Sequence, residues 1–463
     1  MGKSQEARFE SYADVMVETL GHADRAQPAR WYLRGLMLPG PRKSVEPMAA
    51  RLQPQAVRKT HQSMHHLVAD SQWSDQALLA AVVREVAPAL TKGGVPCYWI
   101  IDDTGVRKFG KHSVGVARQY CGQLGKTDNC QVAVSLSLAT ADGSLPLAYR
   151  IYLPKEWADD KTRCRDAGVP KEVGFATKGE IAWAQIEAAL EAGPGSGIAR
   201  GTVLMDAGYG DEAAMRDRLS ENGLTYAVGI GPATAVWWGE HQPADAPVQG
   251  NRGRRRSRLI RDDTHQPIGV RELAHALPSG SYRTQTWREG SNAALRSRFA
   301  RVRVRTAHAD RARAEEWLLI EWPANEPEPT RYFLSTLPAD ISFKALVATV
   351  KMRWRIERDY LELKQEVGLG HYEGRNWRGY HHHASLCIAA YGFLMKERLA
   401  CVKKTPARCK APALPEGFRP RGAGADAAPR PVVNRQRALS SRPRHRTQPA
   451  ALPVLREIAH ASA

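Results

Sequence analysis

Across 463 residues, 67 Lys and Arg outnumber 48 Asp and Glu, a formal charge of +19 at neutral pH. Such an excess favours a polyanionic partner, nucleic acid ahead of a membrane surface. No apolar run approaches the roughly 18 residues of a membrane-spanning helix, the opening MGKSQEARFE lacks the apolar stretch of a secretory leader, and the seven cysteines form no CxxC pair that would announce a zinc site or a disulfide frame. They read as reduced thiols of a cytosolic protein, in a chain long enough for two or three domains.

Residues 1–92 read as a helical domain. Tyr12, Val15, Met16 and Leu20 share one amphipathic face, and Trp31, Leu33, Leu36 and Met37 a second. Pro39, Gly40 and Pro41 break the chain before a third helix in RKSVEPMAARL. WSDQALLAAVVREVAPAL makes a fourth, with Ser74 or Asp75 as N-cap. Arg42, Lys43, Arg51, Arg58, Lys59 and His61 suit either a small DNA-reading domain or a bundle with a solvated basic face.

Over residues 93–230 the pattern changes. VPCYWIID is a short buried strand with Asp102 and Asp103 at its C-terminal end, followed by a loop rich in Gly, Lys and Arg. QVAVSLSLA and LPLAYRIYLP are the next strands, completing an antiparallel meander. The helix TKGEIAWAQIEAALEAG, the strand TVLMDAGYG ending in Asp206, the helix DEAAMRDRLSENG and the strand LTYAVGIG follow. The order βββαβαβ with carboxylates at two strand ends is that of a ribonuclease-H-like sheet. Residues 231–340 read as a β-rich insertion. It carries the strand patterns YRTQTWREG, RFARVRVRTA, EEWLLIEWP and RYFLSTLP and an arginine cluster that includes Arg254, Arg255 and Arg256. That cluster reads as a patch tracking DNA phosphates. Residues 341–402 hold ISFKALVATV, a helix around Glu357 and the apolar helix HHHASLCIAAYGFLMKERLA. Residues 403–463, rich in Pro, Arg and Ala without periodicity, read as a basic disordered tail, either a genuine arm or out-of-frame translation.

Lys351 to Arg375 reads as one helix and a turn, ended by Gly368 and Gly370. Arg353 and Glu357 are spaced i,i+4 and Glu357 and Lys364 i,i+7, so all three project from one face. Alone, such a face is an ordinary salt-bridged surface, and an aspartate at a strand end is an ordinary turn former. Together with Asp102 and Asp206 the set becomes an oxygen-only site of the kind hard cations prefer. His381, His382 and His383 are consecutive on a helix and cannot all ligate one ion, and the Gly-Lys pairs at 110–111 and 125–126 lack the Walker A pattern.

The segments IDDTG, LMDAGYG and RWRIERDYLELKQEVGLGHYEGR resemble the three acidic motifs of DDE transposases from bacterial insertion sequences. The likeness is greatest to the branch whose third motif reads Y-x2-R-x3-E-x6-K. Arg353, Glu357 and Lys364 match its R, E and K, whereas its Y falls on Val350. The resemblance spans roughly residues 96–398. It implies an α/β fold, a ribonuclease-H-like catalytic core of mixed sheet flanked by helices with a β-rich insertion, preceded by a helical N-terminal domain. It further implies that Asp102 (or Asp103), Asp206 and Glu357 are catalytic and hold Mg²⁺ or Mn²⁺, as two ions. Arg353 and Lys364 would contact DNA phosphates, and Trp287 in the insertion would stack on a flipped base. The implied activity is cleavage of double-stranded DNA at the element's ends and strand transfer to target DNA. It would proceed in a homodimeric synaptic complex at the bacterial nucleoid, with no membrane partner. A catalytically inactive DNA-binding descendant is the alternative. A glycosidase with paired acids leaves the charge unexplained.

Overall fold

The computed structural model describes residues 4–122, 124–193, 196–244, 258–289, 294–308 and 310–402. The N-terminal region folds as α1 (Gln5–Glu18), α2 (Ala26–Met37), α3 (Val45–Leu52), α4 (Val57–Ala69) and α5 (Asp75–Leu90). The Ser4 and Ser74 side chains cap α1 and α5 by accepting from the backbone N–H three residues on. The sequence reading has no counterpart to α4. Its buried residues Thr60, Met64, Leu67 and Val68 do stand at helical spacing, but five basic or imidazole side chains from Arg58 to His66 dilute the pattern.

The sheet begins with β1 (Tyr98–Arg107), β2 (Ala117–Cys121), β3 (Lys126–Ala139) and β4 (Ser144–Ile151). The helices α6 (Lys155–Asp159), α7 (Lys161–Asp166) and α8 (Lys178–Glu191) lead to β5 (Thr202–Met205). Then come α9 (Ala207–Gly210), α10 (Ala213–Glu221) and β6 (Tyr226–Ile230). The strands lie in the order β4-β3-β1-β5-β6, with β3 antiparallel to both neighbours and β1, β5 and β6 mutually parallel. Two expectations need correction. The first strand does not end at Asp102: hydrogen bonding to β3 carries β1 on to Arg107, pairing Asp102 with Ser135 and Arg107 with Cys130. Part of the expected glycine-rich loop is β2, which pairs with the first residues of β3.

Residues 231–340 contribute β7 (Ala235–Trp237), β8 (Ile268–Gly269), α11 (Val270–Ala276), β9 (Arg283–Glu289), β10 (Ala294–Thr306), β11 (Glu316–Glu321) and β12 (Arg331–Ser335). They extend the same sheet: β12 pairs antiparallel with β6, β11 with β12 and β10 with β11. α12 (Phe343–Lys351), α13 (Trp354–Leu361) and α14 (Trp377–Val402) complete the described chain. Among the described residues no helix is long and apolar enough to cross a membrane.

Alternating side chains give the sheet two cores. Trp99, Ile101, Val203 and Met205 join the larger one, which includes the N-terminal helices and α14. Ile100 and Leu204 join the smaller one, with Leu346 and Val350 of α12 and Ile356 and Tyr360 of α13. The three consecutive histidines of α14 are buried and serve packing. His382 bonds the Val68 and Trp73 carbonyls and stacks on Trp73, and His383 bonds the Tyr32 hydroxyl and the Gly368 carbonyl. Burial lowers both imidazoles to a pKa of about 4.

The insertion is tied to α12 by a buried ion pair. Lys351 Nζ lies 2.7 and 2.6 Å from the Glu321 oxygens, with both side chains under a tenth exposed. Removing one partner leaves the other charge buried and unpaired. Lys351→Met is therefore expected to lower the unfolding free energy in a denaturant titration by about 3–5 kcal/mol. The double variant Lys351→Met, Glu321→Leu should recover most of it. An equal loss in the single and double variants would contradict this account.

Candidate active site

The parallel register of β1 and β5 brings two aspartates together. Tyr98 pairs with Thr202 and Ile100 with Leu204. Two residues further along each strand stand Asp102 and Asp206, on the side that Ile100 and Leu204 share. Asp206 keeps an extended backbone (φ −80°, ψ −178°) and caps α9, its Oδ1 accepting from the Gly208 N–H at 2.9 Å. This is the face on which α12 and α13 pack.

Asp103 points to the opposite face. Lys178 Nζ, at the start of α8, lies 2.6 Å from its Oδ2, and the Tyr209 hydroxyl donates to the same oxygen at 3.5 Å. The period of a strand thus separates the two neighbouring aspartates by a full sheet thickness.

The segment around Glu357 differs from the single helix read from the sequence. α12 ends at Lys351, the chain turns at Met352 and Arg353, and α13 runs from Trp354 to Leu361. A wider π-helical turn follows over Glu362–Val367, and Gly368 closes it at φ +95°. A Cβ on Gly368 would stand 2.4 Å from Lys43 Cβ, so only glycine fits. Such π turns are uncommon and recur at functional sites. α13 is anchored from behind by Asp359, which accepts from Ser144 of β4 and from Tyr391 of α14 at 3.0 Å.

Arg353 occupies the centre. Its guanidinium lies 3.0 Å from Asp102 Oδ2 and 3.9 Å from Glu357 Oε1. Burial, which alone would lower the pKa of Arg353, is outweighed by Asp102, Asp206 and Glu357, and the net shift is upward. Three carboxylates thus act on one cation. Asp102 is the buried member, with a pKa raised to about 7, chiefly by burial. Arg353 opposes the rise, while Asp206 and Asp103 add to it. Glu357 is two-thirds exposed. The donor set is oxygen only, which suits a hard divalent cation. Among the described residues no three His, Cys, Asp or Glu stand close enough to hold a metal ion.

Lys364 lies in the π turn that follows α13. It is half-buried and donates to the Gly105 carbonyl at 2.8 Å. Burial lowers its pKa to about 8, against the pull of Cys121, Asp102 and Asp103. Trp287 on β9 is half-buried against the smaller core, with Lys351 Nζ 4.6 Å from its ring centroid. Arg254, Arg255 and Arg256, and the tail after Val402, lie outside the described residues.

Tyr360 went unnoticed as a site residue because it reads as part of the apolar face. Its hydroxyl bonds Ser135 Oγ at 2.7 Å and the Asp102 carbonyl at 3.2 Å. The signal was its position three residues after Glu357. For Lys178 and Tyr209 the sequence carried no local signal, since only the fold brings them to Asp103.

The family model described as DDE superfamily endonuclease matches residues 15–294. The chain belongs to that family. The matched range of this DDE superfamily chain includes Asp102 and Asp206 and stops short of Glu357. The curated protein called "Probable transposase for insertion sequence element IS701", from Microchaete diplosiphon, is 33% identical over 172 residues. That match covers 36% of this chain, which spans 40% of the length of that relative.

The raised pKa of Asp102 has a consequence for stability. Between its unfolded value of 3.8 and about 7 the folded carboxyl holds a proton that the unfolded chain releases. Its contribution is fully present below pH 4 and lost as pH rises to about 7. In chelating buffer, the stability of Asp102→Asn relative to the intact chain should therefore grow over that window, by on the order of 1–3 kcal/mol, and level off above it. Chemical unfolding at stepped pH checks this. A difference independent of pH would mean that Asp102 does not titrate there.

Proposed function

We propose that this chain is a transposase that cleaves DNA strands at the ends of an insertion sequence and joins the freed 3′ end to target DNA. The observation that carries the reading is the convergence of Asp102, Asp206 and Glu357 on Arg353. They converge at the adjacent inner strands β1 and β5, on one face of a sheet whose order β4-β3-β1-β5-β6, with β3 alone running against the rest, matches a ribonuclease-H-like core. The relative's name and the +19 charge, suited to a phosphate backbone, support it.

Asp102, Asp206 and Glu357 would hold Mg²⁺ or Mn²⁺, as two ions, once Arg353 gives up Asp102 and the three carboxylates draw closer than they stand in this structure. When bound, these would supply activation of the attacking oxygen and charge stabilisation of the leaving one. Asp103 is neutralised on the far face by Lys178, which leaves Asp102 as the ligand. Tyr360 steadies the β1 backbone beneath that carboxylate. Arg353, once relieved of Asp102, presents a forked guanidinium suited to a DNA phosphate. Lys364, on the Gly105 carbonyl, adds a cation beside the DNA path. Trp287 and Arg254 to Arg256 are assigned further DNA contacts. Residues 1–92 would engage the element's ends, residues 93–230 and 341–402 would form the catalytic core, and residues 231–340 the insertion. Pairing two ends calls for a homodimer, working at the nucleoid of a bacterial cytoplasm.

An inactive DNA-binding descendant is the second reading. It is favoured by Arg353 already neutralising Asp102.

The test is cleavage of a labelled duplex carrying the repeats that flank this reading frame, in Mg²⁺ or Mn²⁺. Glu357→Gln keeps the shape and removes a charge. It should reduce strand cleavage by about 10²–10³-fold or more while DNA binding is retained. Binding without cleavage by the intact chain favours the inactive descendant. Neither binding nor cleavage refutes both readings.

A further inference from the structure

Beyond Asp102, β1 runs on for five residues to Arg107, and the loop that follows carries Phe109. Phe109 is 90% exposed, more than any other large apolar side chain described. It is not loosely held. The Asn129 side-chain amide donates to the carbonyls on either side of it, Lys108 at 2.7 Å and Gly110 at 3.0 Å. The Lys108 N–H in turn donates to the Asn129 carbonyl at 2.9 Å. The ring is therefore presented to solvent by a side-chain clamp, with the Arg107 guanidinium 5.0 Å from its centroid.

Phe109 forms one wall of a cleft of about 440 Å³. The other wall is the segment Gly370–Arg375 that follows the Glu357 helix. The walls are bolted together by Lys108 Nζ on the Tyr372 carbonyl at 2.5 Å and by the Val114 N–H on the Arg375 carbonyl at 2.9 Å. The one acid in the lining, Glu373, is already paired with Arg42. Among the described residues Arg375 and His112, also in the lining, have no carboxylate partner.

We propose that this cleft binds an unpaired nucleotide of the DNA, its base stacked on Phe109 and its phosphate held by Arg375, with Arg107 kept at the rim by Asp128 at 3.1 Å. A preformed concave wall with an open aromatic face and cations at its rim matches a base and its phosphate, whereas a paired base offers no free face. Both walls continue the elements that bear Asp102 and Glu357. Asp102 to Arg107 is about 16 Å along the strand, or about five steps of duplex at 3.4 Å and fewer of an extended single strand. The site would therefore take a single-stranded base a few nucleotides from the reacting bond. Trp287 is less available, since its ring is half-buried against the smaller core. The inference rests on the DNA-binding part of the proposed function.

The test uses the full chain in chelating buffer and two DNAs. One is a blunt duplex, and the other is the same duplex with a five-nucleotide single-stranded extension bearing an aminopurine reporter base. The extension should tighten binding by about tenfold and quench the reporter. Phe109→Ala should abolish both effects and Phe109→Trp keep them, with the affinity for the blunt duplex unchanged. Because Phe109 is exposed, its substitution spares the core. Arg375→Ala should also cost affinity for the extended DNA alone. Equal loss on both DNAs, no loss, or a Phe109-dependent change in sedimentation that marks a second copy as the occupant would each overturn the site. No binding to either DNA would bring down the transposase reading as well. Blunt duplex bound without discrimination of the extension would bring down this site only.

Discussion

Two carboxylates on adjacent parallel strands repel each other, and burying one of them raises the cost. The Arg353 guanidinium is what lets Asp102 lie beside Asp206 in this sheet. Much of the local architecture serves to bring that one cation to that one place. Lys351, clamped by Glu321, fixes where α12 stops. The chain turns at Met352 and Arg353, so Arg353 precedes α13 and faces the sheet. Asp359 then holds the far side of α13 to β4 and α14. A guanidinium in this position neutralises the one carboxylate of the three, Asp102, that has little water to do so.

The neighbouring aspartates show how strand geometry divides labour. Asp102 and Asp103 differ by one position and hence by one face. One meets α13 and the smaller core. The other meets Lys178 and Tyr209 and ties α8 and α9 to β1. The sequence resemblance favours Asp102 and keeps Asp103 as an alternative. The register with β5, read forward from the Ile100–Leu204 pair, sets them on opposite faces.

Much of the sheet was legible because its signals are local. The apolar strand that stops before Asp206, the helix that begins after Thr177 and the alternating β patterns of residues 231–340 fall where the residues suggest. The Arg353–Glu357 spacing was likewise readable. What escaped depends on long-range pairing. β1 runs past its aspartates because β3 is long enough to pair with it. β2 exists because β3 offers a second edge, and α4 is recognisable once its few apolar residues meet α2 and α14. The π turn that carries Lys364 escaped for a different reason. An ideal 3.6-residue period has no way to announce it.

The insertion does not hang from the core on a linker. Its strands continue the core's hydrogen-bonded ladder from β6 through β12 and β11 to β10. A ladder without a break behaves as a plate and has no joint at which to fold around a cylinder. A stiff plate offers DNA a fixed mould, so the accommodation falls to the duplex, and sequences that bend or unstack easily gain an advantage at positions no side chain touches. Selectivity of this mechanical kind would be set by the stiffness of the substrate.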